Sequence, residues 1–307
     1  MQTTDTVLMI EPVNFGFNAE TAENNYFQTN TENGNTQEKA LKEFNAFVAK
    51  LRDKKINVIT VKDSSDTYTP DSIFPNNWVS FDAAGNTFLY PMFAENRRLE
   101  RRNEVLDAIE NCGFLINDII DLSETENDGK YLEGTGSMIF DHDKKLAYGS
   151  VSLRLDEDLF KKYCEKIGYE AIVFHSFQTA NGERLPIYHT NVMMCVGEKF
   201  VVICLDCIDA EIEREKVIEV IKNSGKELIE ISEDQMHQFA GNMLQAKNSE
   251  NENFLIMSQT AFKSLNQKQI EAIEKYCEII YADLETIETN GGGSARCMLA
   301  EVFLPKV

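Results

Sequence analysis

The chain is short of positive charge, of histidine and of long apolar runs. Thirty Lys and Arg stand against 51 Asp and Glu in 307 residues, a formal net charge of -21. Such a surface repels phosphate backbones and anionic membrane faces, so no nucleic-acid partner is expected. No apolar run approaches the roughly 20 residues that span a bilayer, and the start carries no basic stretch leading into an apolar one. We therefore expect a cytoplasmic protein with no membrane partner. Only four histidines are present, without grouped ligand spacing, so no metal or organic cofactor is expected. Cysteine is not scarce, but its number is odd. Cys112, Cys164, Cys195, Cys204, Cys207, Cys277 and Cys297 mostly sit in apolar runs, the pattern of reduced thiols in a reducing compartment. Cys204 and Cys207 have CxxC-like spacing, yet they lie in the apolar run 201–207 with no second pair, which argues against zinc or redox chemistry.

Length alone admits one large domain or two ordinary ones. The order of elements decides more. The residues predict a strand at 7–11, a loop rich in Asn, Thr and Glu at 14–37, a helix at 38–54 and a strand at 56–61. The helix sets Leu41, Phe44, Phe47, Val48 and Leu51 at helical spacing. A hairpin of 78–81 and 87–90 follows, then a helix near 95–110 and a strand near 114–120. The same order returns at 137–174, 192–231 and 242–281, and a strand at 297–304 is free to join the N-terminal elements in a fifth unit. Five hairpin–helix–strand units, about 50–60 residues apart, are the trace of a repeat architecture. We expect an α/β fold in which pseudo-fivefold modules close a ring. Residues 1–307 would then be one domain whose first and last segments share a module. An open sheet of alternating βαβ units fits the recurring hairpins poorly.

In such a ring the residues just ahead of each hairpin converge on the axis. They are 71–78, with Asp71 and Asn77; Glu133, Gly134, Thr135 and Gly136; His189, Thr190 and Asn191; Gly241 and Asn242; and 291–297, ending in Cys297. Gly291, Gly292 and Gly293 allow positive φ and close approach of backbone to a ligand. A thiol beside bare amides suits a nucleophile whose thiolate needs stabilising. Cysteine, histidine and glutamate on one pocket are the parts of thiol catalysis: nucleophile, proton carrier and carboxylate. Singly, each has a plainer reading, as a small buried hydrophobe, a satisfied core histidine and a turn carboxylate. Their recurrence at equivalent module positions favours the chemistry.

At these residues, and over essentially its whole length, the chain resembles the guanidine-modifying superfamily, also called amidinotransferases or penteins. The superfamily includes arginine deiminases and dimethylarginine dimethylaminohydrolases, and within it the sequence most resembles the citrulline-utilization hydrolases. The resemblance implies a five-bladed α/β propeller, Cys297 as nucleophile, His189 as general acid and base, and Glu133 as the carboxylate beside the reacting nitrogen. It also implies Asp71 on a substrate α-amino group and Arg97 and Arg154 on its carboxylate, a grip that suits guanidinium forks. Arg97 and Arg98 have a plainer reading as solvated charges at a helix start. The 14–37 loop is the expected lid, since excluding water strengthens pocket electrostatics.

Many arginine-acting relatives carry an aspartate where this chain has Asn77, and deiminases carry another where it has Asn191. An amide both donates and accepts, and so suits a neutral ureido group that a bare carboxylate would not. The expected activity is therefore cysteine-dependent hydrolysis of L-citrulline to ornithine, ammonia and carbon dioxide. Asn77 and Asn191 acting only as turn residues is the plainer alternative. Hydrolysis or deimination of arginine or a methylarginine is the rival within the class. A non-enzymatic binding protein of the same fold is the rival outside it, disfavoured by the retained Glu133, His189 and Cys297 and by the charge. The expected partner is a small amino acid, and homo-oligomerisation stays open.

Overall fold

The computed structural model describes residues 1–31 and 34–307; residues 32 and 33 of the expected lid lie outside the described residues. Five three-stranded sheets of one connectivity make up most of the β structure. In each, a first strand pairs antiparallel with a second, and the second pairs parallel with a third reached through a helical crossover. The sheet of Val79–Phe81, Asn86–Leu89 and Asp118–Asp121 is the first to run in simple chain order. Next come Met138–Asp141, Leu146–Ser150 and Glu170–Phe174, then Met194–Val196, Phe200–Ile203 and Glu227–Glu230, then Leu244–Lys247, Asn253–Ser258 and Glu278–Ala282. The fifth sheet joins the two ends of the chain. Ala300–Glu301 pairs antiparallel with Thr6–Glu11, Leu8 opposite Ala300, and Thr6–Glu11 pairs parallel with Asn57–Lys62.

The second strands are buried without alternation, as Phe200, Val201, Val202 and Ile203 illustrate, because both faces of the sheet are covered. The crossovers cover them. Thr36–Asp53 turns Ala40, Phe44, Phe47, Val48 and Leu51 inward, three and four residues apart on one face. Glu157–Ile167 starts on the Asp156 carboxylate, which accepts the Leu159 N–H at 2.8 Å, and ends at Gly168 with φ 74°. First strands of neighbouring sheets touch: Ala300–Glu301 against Val79–Phe81, Met138–Asp141 against Met194–Val196, and the latter against Leu244–Lys247. The segments just ahead of these strands are thereby gathered in one place.

Two expectations are corrected, and one element is new. The helix expected at 95–110 is two pieces, Glu95–Arg98 and Asn103–Asn111. Between them Arg101 turns in to the Tyr90 carbonyl and Glu126, while Arg97 turns in to Glu100, and these bonds break the helical path. The strand expected at 297–304 shrinks to Ala300–Glu301, because Cys297 sits in a 3-10 turn, Ala295–Met298. An unforeseen antiparallel ribbon, Phe177–Ala180 with Glu183–Pro186, stands apart from the five sheets. Among the described residues no helix is long and apolar enough to cross a membrane, and no group of three or more His, Cys, Asp or Glu is placed to hold a metal.

Candidate active site

Cys297 is 3% exposed. Its N–H donates to the Ser294 carbonyl at 3.0 Å, which fixes the turn. In the glycine run ahead of it only Gly292 has a positive φ, 62°; a Cβ on Gly291 or Gly293 would meet the Phe74 ring at 2.8 Å. The run therefore serves close packing more than backbone freedom. Two side-chain amides meet the sulfur: Asn191 Nδ2 donates to Sγ at 3.4 Å and Asn242 Nδ2 at 3.2 Å.

Cys297 shares a small cavity with His189, Asp71, Asn77, Arg97, Arg154, Tyr188 and Phe74, roofed by Thr21 and Asn25. Glu133 stands behind His189, with Oε2 2.7 Å from Nε2 and 3.5 Å from Arg154 Nη1; its Oε1 accepts the Phe93 N–H at 2.9 Å. Burial alone would raise Glu133, but Arg154, the hydrogen bond from His189 and Arg97 together hold it down at about 2. Burial lowers His189 to about 4 against the pull of Glu133, and Arg154 and Arg97 push the same way as burial. At neutral pH the pair is thus a carboxylate and a neutral imidazole. A carboxylate only accepts, so Nε2 carries the proton and Nδ1 is left as a base.

Asp71 is 2% exposed. Its Oδ2 accepts from Asn18 Nδ2 at 2.8 Å and Thr21 Oγ1 at 2.9 Å, while Oδ1 is buried with no protein partner. Burial raises its pKa against the nearby Arg97. Arg97 is no solvated charge: Nε and Nη2 donate to the two oxygens of Glu100 at 2.9 Å each, and Nη1 to Asn77 Oδ1 at 2.6 Å. Asn77 in turn donates to Asn76 Oδ1 at 2.9 Å. Arg154 lies over the Tyr188 ring, 4.8 Å from its centroid, and donates through Nε and Nη2 to Asn24 Oδ1 at 2.9 and 2.5 Å. Every residue singled out from the sequence thus reaches one site. Asn77 and Arg97, however, satisfy each other, which narrows what either offers a small molecule.

Residues 11–304 match the family model described as N,N dimethylarginine dimethylhydrolase, eukaryotic. The chain belongs to this dimethylarginine dimethylhydrolase family. It is thereby a member of the pentein, or amidinotransferase, superfamily. ArgZ, an arginine dihydrolase from the ornithine–ammonia cycle in cyanobacteria, is similar with a TM-score of 0.72 at 18% identity, over 98% of this chain and 41% of ArgZ. The N-terminal domain of ArgZ, solved bound to substrate, gives 0.71 at 18% identity over 97% of this chain and 99% of the domain. DDAH from Pseudomonas aeruginosa, a cysteine-to-serine mutant complexed with citrulline, gives 0.66 at 14% identity over 98% of this chain and 100% of that one. The chain therefore spans about two fifths of full-length ArgZ. At such identities the likeness is one of fold. No curated protein matches by sequence.

For a dimethylarginine dimethylhydrolase family member, the residues that sequence reasoning left without a role are instructive. Asn242 stood at a module start equivalent to that of His189 and Asn191, so its signal was present. Tyr188, Asn18, Thr21 and Asn24 carried none, because their partners lie in other modules, and Glu100 carried none because its local pair with Arg97 reads as surface charge.

Proposed function

We propose that the protein hydrolyses the guanidino group of arginine or a methylated arginine through a covalent intermediate on Cys297. The observation that carries this reading is the state of the polar groups around the sulfur. A guanidinium presents only N–H donors, and Asn191, whose Nδ2 meets Sγ, keeps a buried Oδ1 without a protein partner that can accept from them. Asn242, the other amide at the sulfur, has both N–H bonds spent, on Sγ and the Asn191 carbonyl, and so has none for a ureido carbonyl. The family and the arginine-acting neighbours support the same side. Citrulline remains the second reading, favoured by amides at Asn77, where many arginine-acting relatives carry an aspartate, and at Asn191, where deiminases carry another.

The Cys297 proton passes to His189 Nδ1 and the sulfur attacks the guanidinium carbon, forming a C–S bond. The bond from that carbon to the terminal nitrogen breaks, and ammonia or the methylamine leaves with the proton from His189. Water then attacks the same carbon, giving its proton to His189. The C–S bond breaks, the ureido product departs, and the thiol is restored. Glu133 holds Nε2 and balances the positive charge of the imidazolium while it exists. Asp71 Oδ1 is the acceptor for the α-amino group.

In this reading the five sheets are blades of a five-bladed propeller, and the whole chain is one catalytic domain whose ends share a blade. The identical connectivity and the touching first strands support it. The cavity is about 10 Å³ measured to the centres of water-sized spheres, room for about one water. A substrate therefore needs the 14–31 segment to lift. Product analysis on arginine, mono- and dimethylarginine and citrulline tests the proposal. Citrulline with ammonia or a methylamine from the first three supports it; ornithine from citrulline alone, with the guanidino compounds untouched, supports the second reading and defeats the first.

A further inference from the structure

Asn242 takes no part in the steps above, yet its position is more fully determined than that of any other group touching the sulfur. It lies just ahead of Leu244–Lys247, the first strand of its sheet. It gets there because Gly241 lies flush against the preceding module: a Cβ at Gly241 would fall 2.3 Å from the Val192 carbonyl oxygen and 2.8 Å from Met193 Cα, so only glycine allows the approach. Three hydrogen bonds then fix the amide. Its Oδ1 accepts the Arg296 N–H at 3.0 Å, and its Nδ2 donates to the Asn191 carbonyl at 3.0 Å and to Cys297 Sγ at 3.2 Å. A backbone N–H on one end and a backbone carbonyl on the other leave a single orientation, in which Sγ faces an N–H and never the amide oxygen. Asn242 is 1% exposed and Cys297 is 3% exposed, so the contact is sealed from bulk solvent.

We propose that Asn242 is a positioning residue that selects the thiolate form of Cys297. A donor aimed at sulfur stabilises an anion far more than a neutral thiol, because charge-assisted hydrogen bonds are the stronger kind. Asn191 Nδ2 supplies a second donor at 3.4 Å, and the two amides together form a hole for sulfur charge as backbone amides do for an oxyanion. The same contact orients the sulfur. The Arg296 N–H is one peptide from Cys297, so Asn242 ties the turn carrying the nucleophile to the next module. This deepens the reading of Cys297 as the nucleophile and rests on it.

The test follows the thiolate itself. Its ultraviolet absorbance is titrated in the protein and in Asn242→Ala, each corrected by the same protein carrying Cys297→Ser, and Cys297 alkylation by iodoacetamide is followed against pH by mass spectrometry. Asn242→Ala is expected to move both midpoints upward by about one pH unit, a roughly tenfold loss of thiolate at neutral pH. Asn242→Ser, which keeps a small polar group but withdraws the donor from sulfur, moves them the same way and stands in if the alanine variant fails to fold. Asn242→Asp moves them further, because a carboxylate meets the sulfur. Midpoints that stay put in folded Asn242→Ala or Asn242→Ser overturn the proposal. If instead Cys297 in the unaltered protein reacts no faster than Cys112, the exposed thiol, the nucleophile assignment itself falls, and the two failures are told apart.

Discussion

Cys297, His189 and Glu133 divide the chemistry by charge state. Replacing the nucleophile by Cys297→Ser swaps sulfur for a poorly ionised hydroxyl of similar size, so turnover should fall by roughly three orders of magnitude or more with the thermal midpoint nearly unchanged; steady-state kinetics and a melting curve check it. The pH profile belongs to His189. Burial and two arginines hold it at about 4, and the neutral form is the base, so activity is present above that value and lost as pH falls through it. The acid limb of kcat/KM should therefore lie near pH 4, well below the ordinary histidine range. Glu133 pulls the His189 value upward, so Glu133→Gln should drive the limb lower still while cutting kcat by about 10²-fold. Glu133→Gln also leaves Arg154 facing a neutral amide in a dry site. Urea unfolding should read a loss of about 3 kcal/mol, the scale of a broken buried pair. A limb that stays near the ordinary histidine value would show that burial does not depress His189.

At the scale of elements, the segment ahead of Thr36–Asp53 acts as a clasp. Among its described residues it carries one short helix, Ala19–Ala22, opened by Asn18 Oδ1 accepting the Glu20 N–H at 3.2 Å. From that turn Asn18 and Thr21 reach Asp71, Asn24 holds Arg154, and Asn25 Nδ2 reaches the Gly292 carbonyl at 3.3 Å. Asn24→Ala removes the acceptor of two Arg154 N–H bonds without touching the sulfur. It should raise KM about tenfold with a smaller effect on kcat, and open 14–31 to proteolysis; equal cleavage rates in the two proteins would show that the clasp does not depend on Asn24. The sequence supports a lid here but shows none of its contacts. Its asparagines read as turn formers, and their burial depends on Asp71 and Arg154, which are distant along the chain. Elements with a strong apolar period were legible: the helix at 36–53 and the hairpins at 79–89 and 194–203 fall within a residue or two of expectation. The 95–110 helix failed because inward arginines look like surface charge in a helical pattern. The 297–304 strand failed because an apolar run cannot distinguish a strand from a buried 3-10 turn. Asp71, Asn77, Glu133, His189, Asn191 and Cys297 were visible as a group because the repeat placed them at equivalent module starts, whereas Arg97 and Arg154 came only from the resemblance. The pairing of Asn77 Oδ1 with Arg97, which takes that acceptor away from any substrate, needed coordinates.

Across the whole molecule, buried titratable groups make stability depend on pH, and His142 offers the cleanest probe of that dependence. It lies away from the candidate site, with Nδ1 2.8 Å from Tyr169 Oη, its ring stacked on Phe140 and its edge against Phe303. Burial lowers it to about 4; the N-terminal amine, Arg296 and Lys226 push the same way, and Asp143 opposes them. A folded value below the unfolded one means that the unfolded chain takes up a proton first as pH falls. His142 therefore costs nothing above its ordinary range, and stability is lost from about 6.5 down to about 4. His189 has the same sign. Glu100 has the opposite sign, since burial pushes it up to about 7 against Arg97, and the folded state then binds the extra proton. The total slope is a composite, and only a difference isolates one group. Urea unfolding of the protein and of His142→Gln at about pH 7 and about pH 5 should show the variant losing less stability, by at most about 2 kcal/mol, because one titrating proton changes stability by about 1.4 kcal/mol per pH unit. Parallel pH curves for the two proteins would mean that His142 is protonated in the folded state and that the aromatic pocket accommodates an imidazolium.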